Sequence, residues 1–333
     1  MARTQILAAI KNAPSYISGE ELSRQLQISR SAVWKHVVAL RQEGYEIEAH
    51  TRLGYRLRSA SPRLLASEVL PRLTTKRLGQ NYHFFASLPS TNRTAKELAR
   101  QGAPEGTLVV AEEQTAGRGR LGRAWVSPRN CGIYLSLVLR PAVPLGMAAQ
   151  VTLLTSVSYC RAIEQVTGLK PMIKWPNDVL LSGKKICGIL TEVHAEMEAV
   201  NYLIVGIGMN VNHQGADFPE EVRPVATSLA LEAGKTVDST QLLLAFLACL
   251  EADYDRWLSD GFGSIREQWL ARAAGLGRPV QIVAGQRQWQ GRLASIDEEG
   301  ALLVTDTDGA THRVYSGEVS IRPEGGTGYD FGD

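Results

Sequence analysis

A chain of 333 residues is longer than one small module and fits two or three domains of ordinary size. With 44% apolar and 21% charged residues, it excludes a disordered, collagen-like or coiled-coil protein. The net charge of +2 is unevenly spread: residues 1–60 carry nine basic and five acidic side chains, the remainder 27 and 29, so a basic module precedes a mildly acidic body.

Residues 1–58 predict three helices followed by a two-stranded ribbon. Gly19 to Leu26 is a short helical pattern, and Gln27-Ile28-Ser29 is a turn. Arg30 to Glu43 then places Val33, Val37 and Leu40 on one face, before YEIEAHTRLGYRL alternates around a tight basic tip. This is a winged helix-turn-helix layout over 1–60, with DNA as the expected partner. Ser29, Arg30, Ser31, Lys35, His36 and Arg41 would face a major groove, and Arg52 in the wing would reach phosphate or the minor groove. Trp34 is either core or contact, and a protein-interaction role for the module is the competing expectation.

The segment SASPR at 59–63 suits a linker. Beyond it, strands are expected near 82–86, 107–113, 131–140, 171–175, 186–195 and 202–211, with helices near 64–70, 91–101, 146–167, 239–259 and 262–274. Segments 131–140 and 186–195 are expected as antiparallel neighbours in an α+β domain spanning 64–274, a mixed sheet with helices on one face. After Gly275-Leu-Gly277 only short strands follow, predicting a small barrel over 277–323 and a flexible tail at 324–333. Cys131, Cys160, Cys187 and Cys249 show no metal or disulfide spacing. The start MARTQILAAIKN has no signal-peptide core, and LLLAFLACL at 242–250 is far short of a membrane span, so a cytoplasmic protein without membrane association is expected.

Gly117, Gly119 and Gly122 stand in GxGxxG register, but WVSPRNCGIYLSLVL follows in place of a helix and Arg140 lies where an acidic residue should be. The dinucleotide fingerprint therefore fails on context. What remains is a glycine-punctuated loop bearing Arg118, Arg120 and Arg123: either a solvated basic loop or one that orders over an anionic ligand. In KWPNDVLLSGKKICGIL, Lys174 and Asp178 flank a proline turn and Lys185 leads an apolar strand toward something negative. Gly206 and Gly208 in VGIGMNVN permit close approach by a flat ligand or a neighbouring strand, with Asn210 at the strand's end. Ser90, Thr91 and Asn92 stand before a helix, as caps or ligand contacts.

The ordered set STN, EEQTAGRGRLGRAW, KWPNDV with GKKICGI, and VGIGMNVN, behind a winged helix, resembles the bifunctional biotin–protein ligase and biotin-operon repressor family, class II. That resemblance implies an SH3-like C-terminal barrel and two-step chemistry. Biotin attacks ATP to give biotinyl-5′-AMP, and a lysine of the biotin carrier domain of acetyl-CoA carboxylase then displaces AMP. It also implies Mg²⁺, and an adenylate-promoted homodimer that represses biotin genes at an operator. A ligand-sensing repressor without ligase activity is the alternative.

The residues follow by the same resemblance. Ser90, Thr91, Asn92 and Gln114 would meet the biotin ring, while Gly117, Arg118, Gly119 and Arg120 would meet biotin and the adenylate. Lys185 would pair with carboxylate and phosphate oxygens, Trp125 would pack on the adenine side, and Gly206, Gly208 and Asn210 would line the site. Asp178 would orient the carrier lysine or hold magnesium. Leu121 stands where some relatives carry a basic residue, and Met209 where Ile is common.

Overall fold

A computed structural model describes residues 2–196, 199–284 and 287–321. The chain divides into two units, Met1–Arg72 and Leu73–Asp333. The tail expected at 324–333 lies outside the described residues.

In the first unit, α1 (Ala2–Asn12), α2 (Gly19–Leu26) and α3 (Arg30–Gln42) bury Ile6, Leu7, Ile10, Leu22, Val33, Val37 and Leu40 at helical spacing. Ser18 caps α2 by accepting the Glu21 N–H, and Ser29 caps α3 by accepting that of Ala32. The wing pairs β1 (Glu46–His50) with β2 (Gly54–Ser59) in antiparallel register, and Ile17 adds a bridge to Tyr55. Gly54, at φ +104°, backs onto the Ile17 carbonyl, where no side chain fits.

Residues 64–72, expected with the second domain, group with the first. The short α4 (Ala66–Val69) buries Glu68, which accepts from Lys11 Nζ at 2.6 Å and Tyr45 Oη at 2.5 Å. Ser61 is tied to the Glu43 carbonyl at 2.6 Å. A carboxylate this enclosed needs both donors, which anchors the segment to α1 and the end of α3.

The second unit is built on a seven-stranded mixed sheet. Its strands are β3 (Tyr82–Phe85), β4 (Leu108–Ala111), β5 (Gly132–Leu139), β6 (Met172–Lys174), β7 (Asp178–Leu181), β8 (Lys184–Glu196) and β9 (Ala199–Asn210), and its helices include α5 (Thr91–Arg100) and α6 (Ala148–Thr167). The strand order is β3-β4-β5-β9-β8-β7-β6. The expected pairing of 131–140 with 186–195 is therefore corrected: β9 lies between them, antiparallel to both. The reason is burial, since Leu203, Ile204, Val205, Ile207 and Met209 are all enclosed, and a strand apolar on both faces belongs in the middle. The β7 hairpin partner of β6 was not anticipated at all.

Helices cover both faces, where one was expected. On one face, Thr152 of α6 lies 2.8 Å from Thr191, with α7 (Leu229–Ala233), α8 (Ser239–Asp260) and α9 (Gly263–Leu270) elsewhere in the unit and α8 and α9 packed against α6. On the opposite face, α5 sets Ala95 and Ala99 among Val109, Ala111, Val138, Tyr202 and Ile204. The alternation of strand side chains separates these two sets.

The C-terminal segment forms a five-stranded antiparallel sheet from β10 (Pro279–Ala284), β11 (Arg287–Ile296), β12 (Leu302–Thr305), β13 (Thr311–Val314) and β14 (Glu318–Ile321), ordered β13-β12-β11-β10-β14. Side chains of the larger sheet domain hold it by its backbone: Gln150 donates to the Glu298 carbonyl (2.8 Å), Trp175 to Gly300 (3.2 Å) and Arg266 to Ile296 (2.7 Å).

Candidate functional site

On the face carrying α5, three glycines of the central strands form the floor of a cradle on which Asn92 and Trp125 rest. A methyl group on Gly206 would coincide with the Asn92 carboxamide, one on Gly208 with the Trp125 indole, and one on Gly188 would come within 3.0 Å of that ring. Both side chains thus stand where the side chains of these strands would otherwise be.

The first turn of α5 is polar because it faces this cradle, and none of its side chains caps the helix. Ser90 is the N-cap residue without a side-chain cap bond. The Thr91 backbone N–H and hydroxyl both donate to Gln114 Oε1, at 2.8 and 3.1 Å, while Gln114 Nε2 donates to Ser127 at 2.9 Å. Asn92 Nδ2 donates to Glu192 at 2.8 Å and, more loosely, to the Leu190 carbonyl at 3.3 Å. Its Oδ1 accepts from Ser136 at 2.5 Å. Such a chain fixes which atoms of each amide face the cradle.

Beside it lies a cluster of cations around one carboxylate. The β6–β7 register sets Lys174 opposite Asp178, and β7–β8 sets Asp178 opposite Gly188. Lys185 Nζ stands 2.7 Å from Asp178 Oδ1, close enough to pair by charge but not aligned as a hydrogen bond. The same ammonium lies 5.4 Å from the Trp125 ring centroid, within cation–π range. Burial holds the Lys174 pKa below its ordinary value, with Asp178 pulling it back up and Lys185 pressing it down. Asn210, at the end of β9, donates to the Thr227 carbonyl at 3.2 Å.

The arginine loop is a narrow hairpin with its own backbone bonds, Gly119 to Arg123 at 2.8 Å and Trp125 to Gly117 at 3.0 Å. Gly117 is pressed against the Trp125 carbonyl, so a side chain there is excluded. Arg118 is exposed. Arg120 reaches Asn177 Oδ1 and the Gly317 carbonyl, each at 3.3 Å, and burial lowers its pKa while Asp178 and Glu318 raise it. Leu121 at the tip is 78% exposed, with a left-handed φ of +55°. Arg120, Asn177 and Thr191, with Tyr315 of the C-terminal sheet, border an open cavity of about 310 Å³.

The structure therefore gathers Thr91, Asn92, Gln114, Gly206 and Gly208 into one polar cradle, and Trp125, Lys185, Asp178 and Arg120 beside it. Sequence reasoning missed Ser136 and Glu192, which orient Asn92, and Asn177, which meets Arg120. The signal for Ser136 was a lone hydroxyl in the apolar strand GIYLSLVL.

In the N-terminal unit, Ser29, Arg30, Ser31 and Lys35 are exposed along α3 and Arg52 at the wing tip, while His36 is half-buried. Ser29 is partly occupied as the cap. Arg41 is exposed as well, and its guanidinium also donates to the Ile47 carbonyl at 2.9 and 2.6 Å, which ties α3 to the wing. Trp34 is 57% exposed and so is not core.

Comparison with known proteins gives three matches along the chain: an HTH domain over 2–56, the biotin/lipoate A/B protein ligase family over 84–210, and the biotin protein ligase C-terminal domain over 275–322. The bifunctional ligase/repressor BirA of Bacillus subtilis is 44% identical over 92% of this chain and 94% of its own length. The bifunctional ligase/repressor BirA of Escherichia coli is 29% identical, with 96% of each chain covered. Among solved structures, the biotin protein ligase of Aquifex aeolicus in complex with biotin and ATP superposes with a TM-score of 0.64 at 32% identity, covering 74% of this chain and 99% of that one. With a helix-turn-helix unit ahead of the ligase sheet and near full-length likeness to such relatives, the chain belongs to the bifunctional biotin–protein ligase and repressor family.

Proposed function

We infer that the cradle binds biotin and that the adjoining cations carry its activation. The carboxylate oxygen of biotin attacks the α-phosphorus of ATP, the bond to the bridging oxygen breaks, and pyrophosphate leaves with that electron pair. The ε-amine of a carrier lysine then attacks the acyl carbon of biotinyl-5′-AMP; AMP leaves and the amine loses a proton. The observation that carries this reading is the convergence of Lys174, Lys185 and Arg120 on one side of a glycine-floored, amide-lined cradle.

The cradle's polar rim, Thr91, Asn92 and Gln114, suits a neutral ureido ring that both donates and accepts hydrogen bonds. Fixed cations act where charge accumulates, and because they are preorganised they need no rearrangement as the transition state forms. Lys185 would exchange its pairing with Asp178 for the reacting oxygens, leaving Asp178 to orient the incoming amine. Trp125, whose buried Nε1 has no hydrogen-bond partner among the described residues, offers a flat wall for adenine, with Asn210 near the end of the same strands. Arg118, exposed on the same loop, would reach the adenylate, and Ser90 would line the biotin end. Magnesium bound with ATP would neutralise phosphate charge. Asp178 would be a carboxylate ligand to it as the alternative to orienting the amine; among the described residues no group of three or more acidic, histidine or cysteine side chains gathers to hold a metal ion.

The carrier is proposed to be the biotin carrier domain of acetyl-CoA carboxylase, in keeping with the biotin–[acetyl-CoA-carboxylase] ligase of Paracoccus denitrificans, 39% identical over 66% of this chain. The winged helix is proposed to bind an operator as part of an adenylate-promoted homodimer, since a two-fold pair of reading helices matches a palindromic site. The work is cytoplasmic on this reading. No described helix is long and apolar enough to cross a membrane.

Intact-mass analysis of a carrier domain incubated with the protein, biotin and Mg²⁺, with and without ATP, tests the ligase. An ATP-dependent adduct on one lysine is expected, and a competent carrier left unmodified would remove the assignment in favour of a ligand-sensing repressor. Gel shift of operator DNA with and without biotin plus ATP tests the repressor.

A further inference from the structure

The arginine loop is held from outside as well as by its own backbone bonds. Arg123 grips Glu318 at the start of β14 with both ends of its guanidinium, at 2.7 and 3.0 Å. One residue earlier, the Gly317 carbonyl accepts from Arg120 at 3.3 Å. Glu318 also lies near enough to Lys174 and Arg120 to favour the charged form of each. The C-terminal sheet thus places a carboxylate among the cations that face the cradle. That sheet is itself anchored through the Glu298, Gly300 and Ile296 carbonyls, all on the β11–β12 side, so Glu318 projects from a fixed support.

We propose that Glu318 is a positioning residue for adenylation: through Arg123 it fixes the loop that presents Arg120 to the phosphates, making the C-terminal sheet part of the active site. This deepens, and rests on, the reading of that loop as phosphate-directed. A bidentate guanidinium–carboxylate contact constrains direction as well as distance, which a single lysine pairing would not. The pair is half open to water, with side chains 50% and 36% exposed, so its influence on an equilibrium is a few-fold. It positions the loop without locking it, leaving Arg120 able to leave the Gly317 carbonyl for a stronger anion.

The test uses the full chain with Glu318→Gln, Arg123→Gln, the double variant carrying both, and Arg120→Ala as reference. Biotin-dependent pyrophosphate exchange gives KM for ATP and kcat separately, and limited chymotrypsin digestion at Leu121, a site that every variant keeps, reports loop opening. The expected result is that Glu318→Gln and Arg123→Gln each raise KM for ATP by about three- to five-fold and speed cleavage in step, while the double variant is no worse than the single ones, as two partners of one contact require. A merely structural contact would lower Tm and leave KM for ATP unchanged. Unchanged KM and cleavage in Glu318→Gln, with Arg120→Ala impaired, would overturn the proposal alone. A double variant whose KM rises by the product of the two single effects would overturn it too, since the residues would then act independently. Normal exchange in Arg120→Ala would overturn the reading of the loop and the proposal with it.

Discussion

The Asn92 carboxamide occupies the space that a side chain at position 206 would need. Position 206 on β9 and position 92 on α5 are therefore one unit. Gly206→Ala should displace Asn92 from Ser136 and Glu192, breaking a hydrogen-bond chain in which each lost partner costs about 1–3 kcal/mol. Weaker biotin binding by roughly ten- to a hundred-fold is expected by calorimetry, and near-native affinity would show that Asn92 is not a biotin contact.

The cation cluster makes a sharper demand on rate. Lys185→Ala and Arg120→Gly should each slow adenylate formation by about 100-fold or more, the usual loss when one preorganised charge-stabilising group is removed. Single-turnover formation of biotinyl-5′-AMP at saturating substrates reads this directly. Wild-type rates in both variants would move the chemistry elsewhere.

His213 predicts a pH-dependent stability. It is 1% exposed, its Nε2 lies 3.1 Å from the Tyr134 hydroxyl, and burial pushes its pKa down to about 4. Because the unfolded chain takes up the proton near pH 6.5 and the folded one resists it, the stabilisation is complete above 6.5. It is lost as pH falls toward 4, by on the order of 3 kcal/mol at most. Urea unfolding at pH 7 and pH 5 should show the decline, and His213→Gln should flatten it; equal slopes in the two proteins would refute the assignment.

For the winged helix, Lys35→Ala and Arg52→Ala should each weaken binding to all duplexes alike and reduce the salt slope by about one. Trp34→Ala, on the same exposed face, should instead change discrimination among sequences, since an indole contacts base methyl groups rather than phosphate. Fluorescence anisotropy across a salt series separates the two behaviours.

Much of this arrangement was legible in the sequence because local signals carry it. The apolar spacing of Val33, Val37 and Leu40, the alternation of the wing and the glycine-arginine loop each declare themselves within a few residues. Pairings between distant segments do not. Nothing local in 131–140 or 186–195 says that a third strand separates them, and β7 was hidden because four residues after a proline turn carry little periodicity. Ser136, Glu192 and Glu318 escaped for the same reason: each acts on a residue at least 44 positions away. The bond of Arg41 to the wing was equally out of sight, because it exists only once β1 has folded back beside α3.

The place of β9 has a consequence in time. On the α5 side of the sheet, Thr91, Asn92, Gln114 and Ser136 come from segments before residue 140, and Asp178, Lys185 and Glu192 from segments after 175; the β5–β9 ladder, Gly132 to Leu139 against Leu203 to Asn210, is the seam. Each half can form hairpins early, since its partners are near in sequence, but closing the seam spans a loop of more than 60 residues and must come late. Catalytic competence during refolding should therefore appear in a single late step, with native-like strand content accumulating before any adenylate is made.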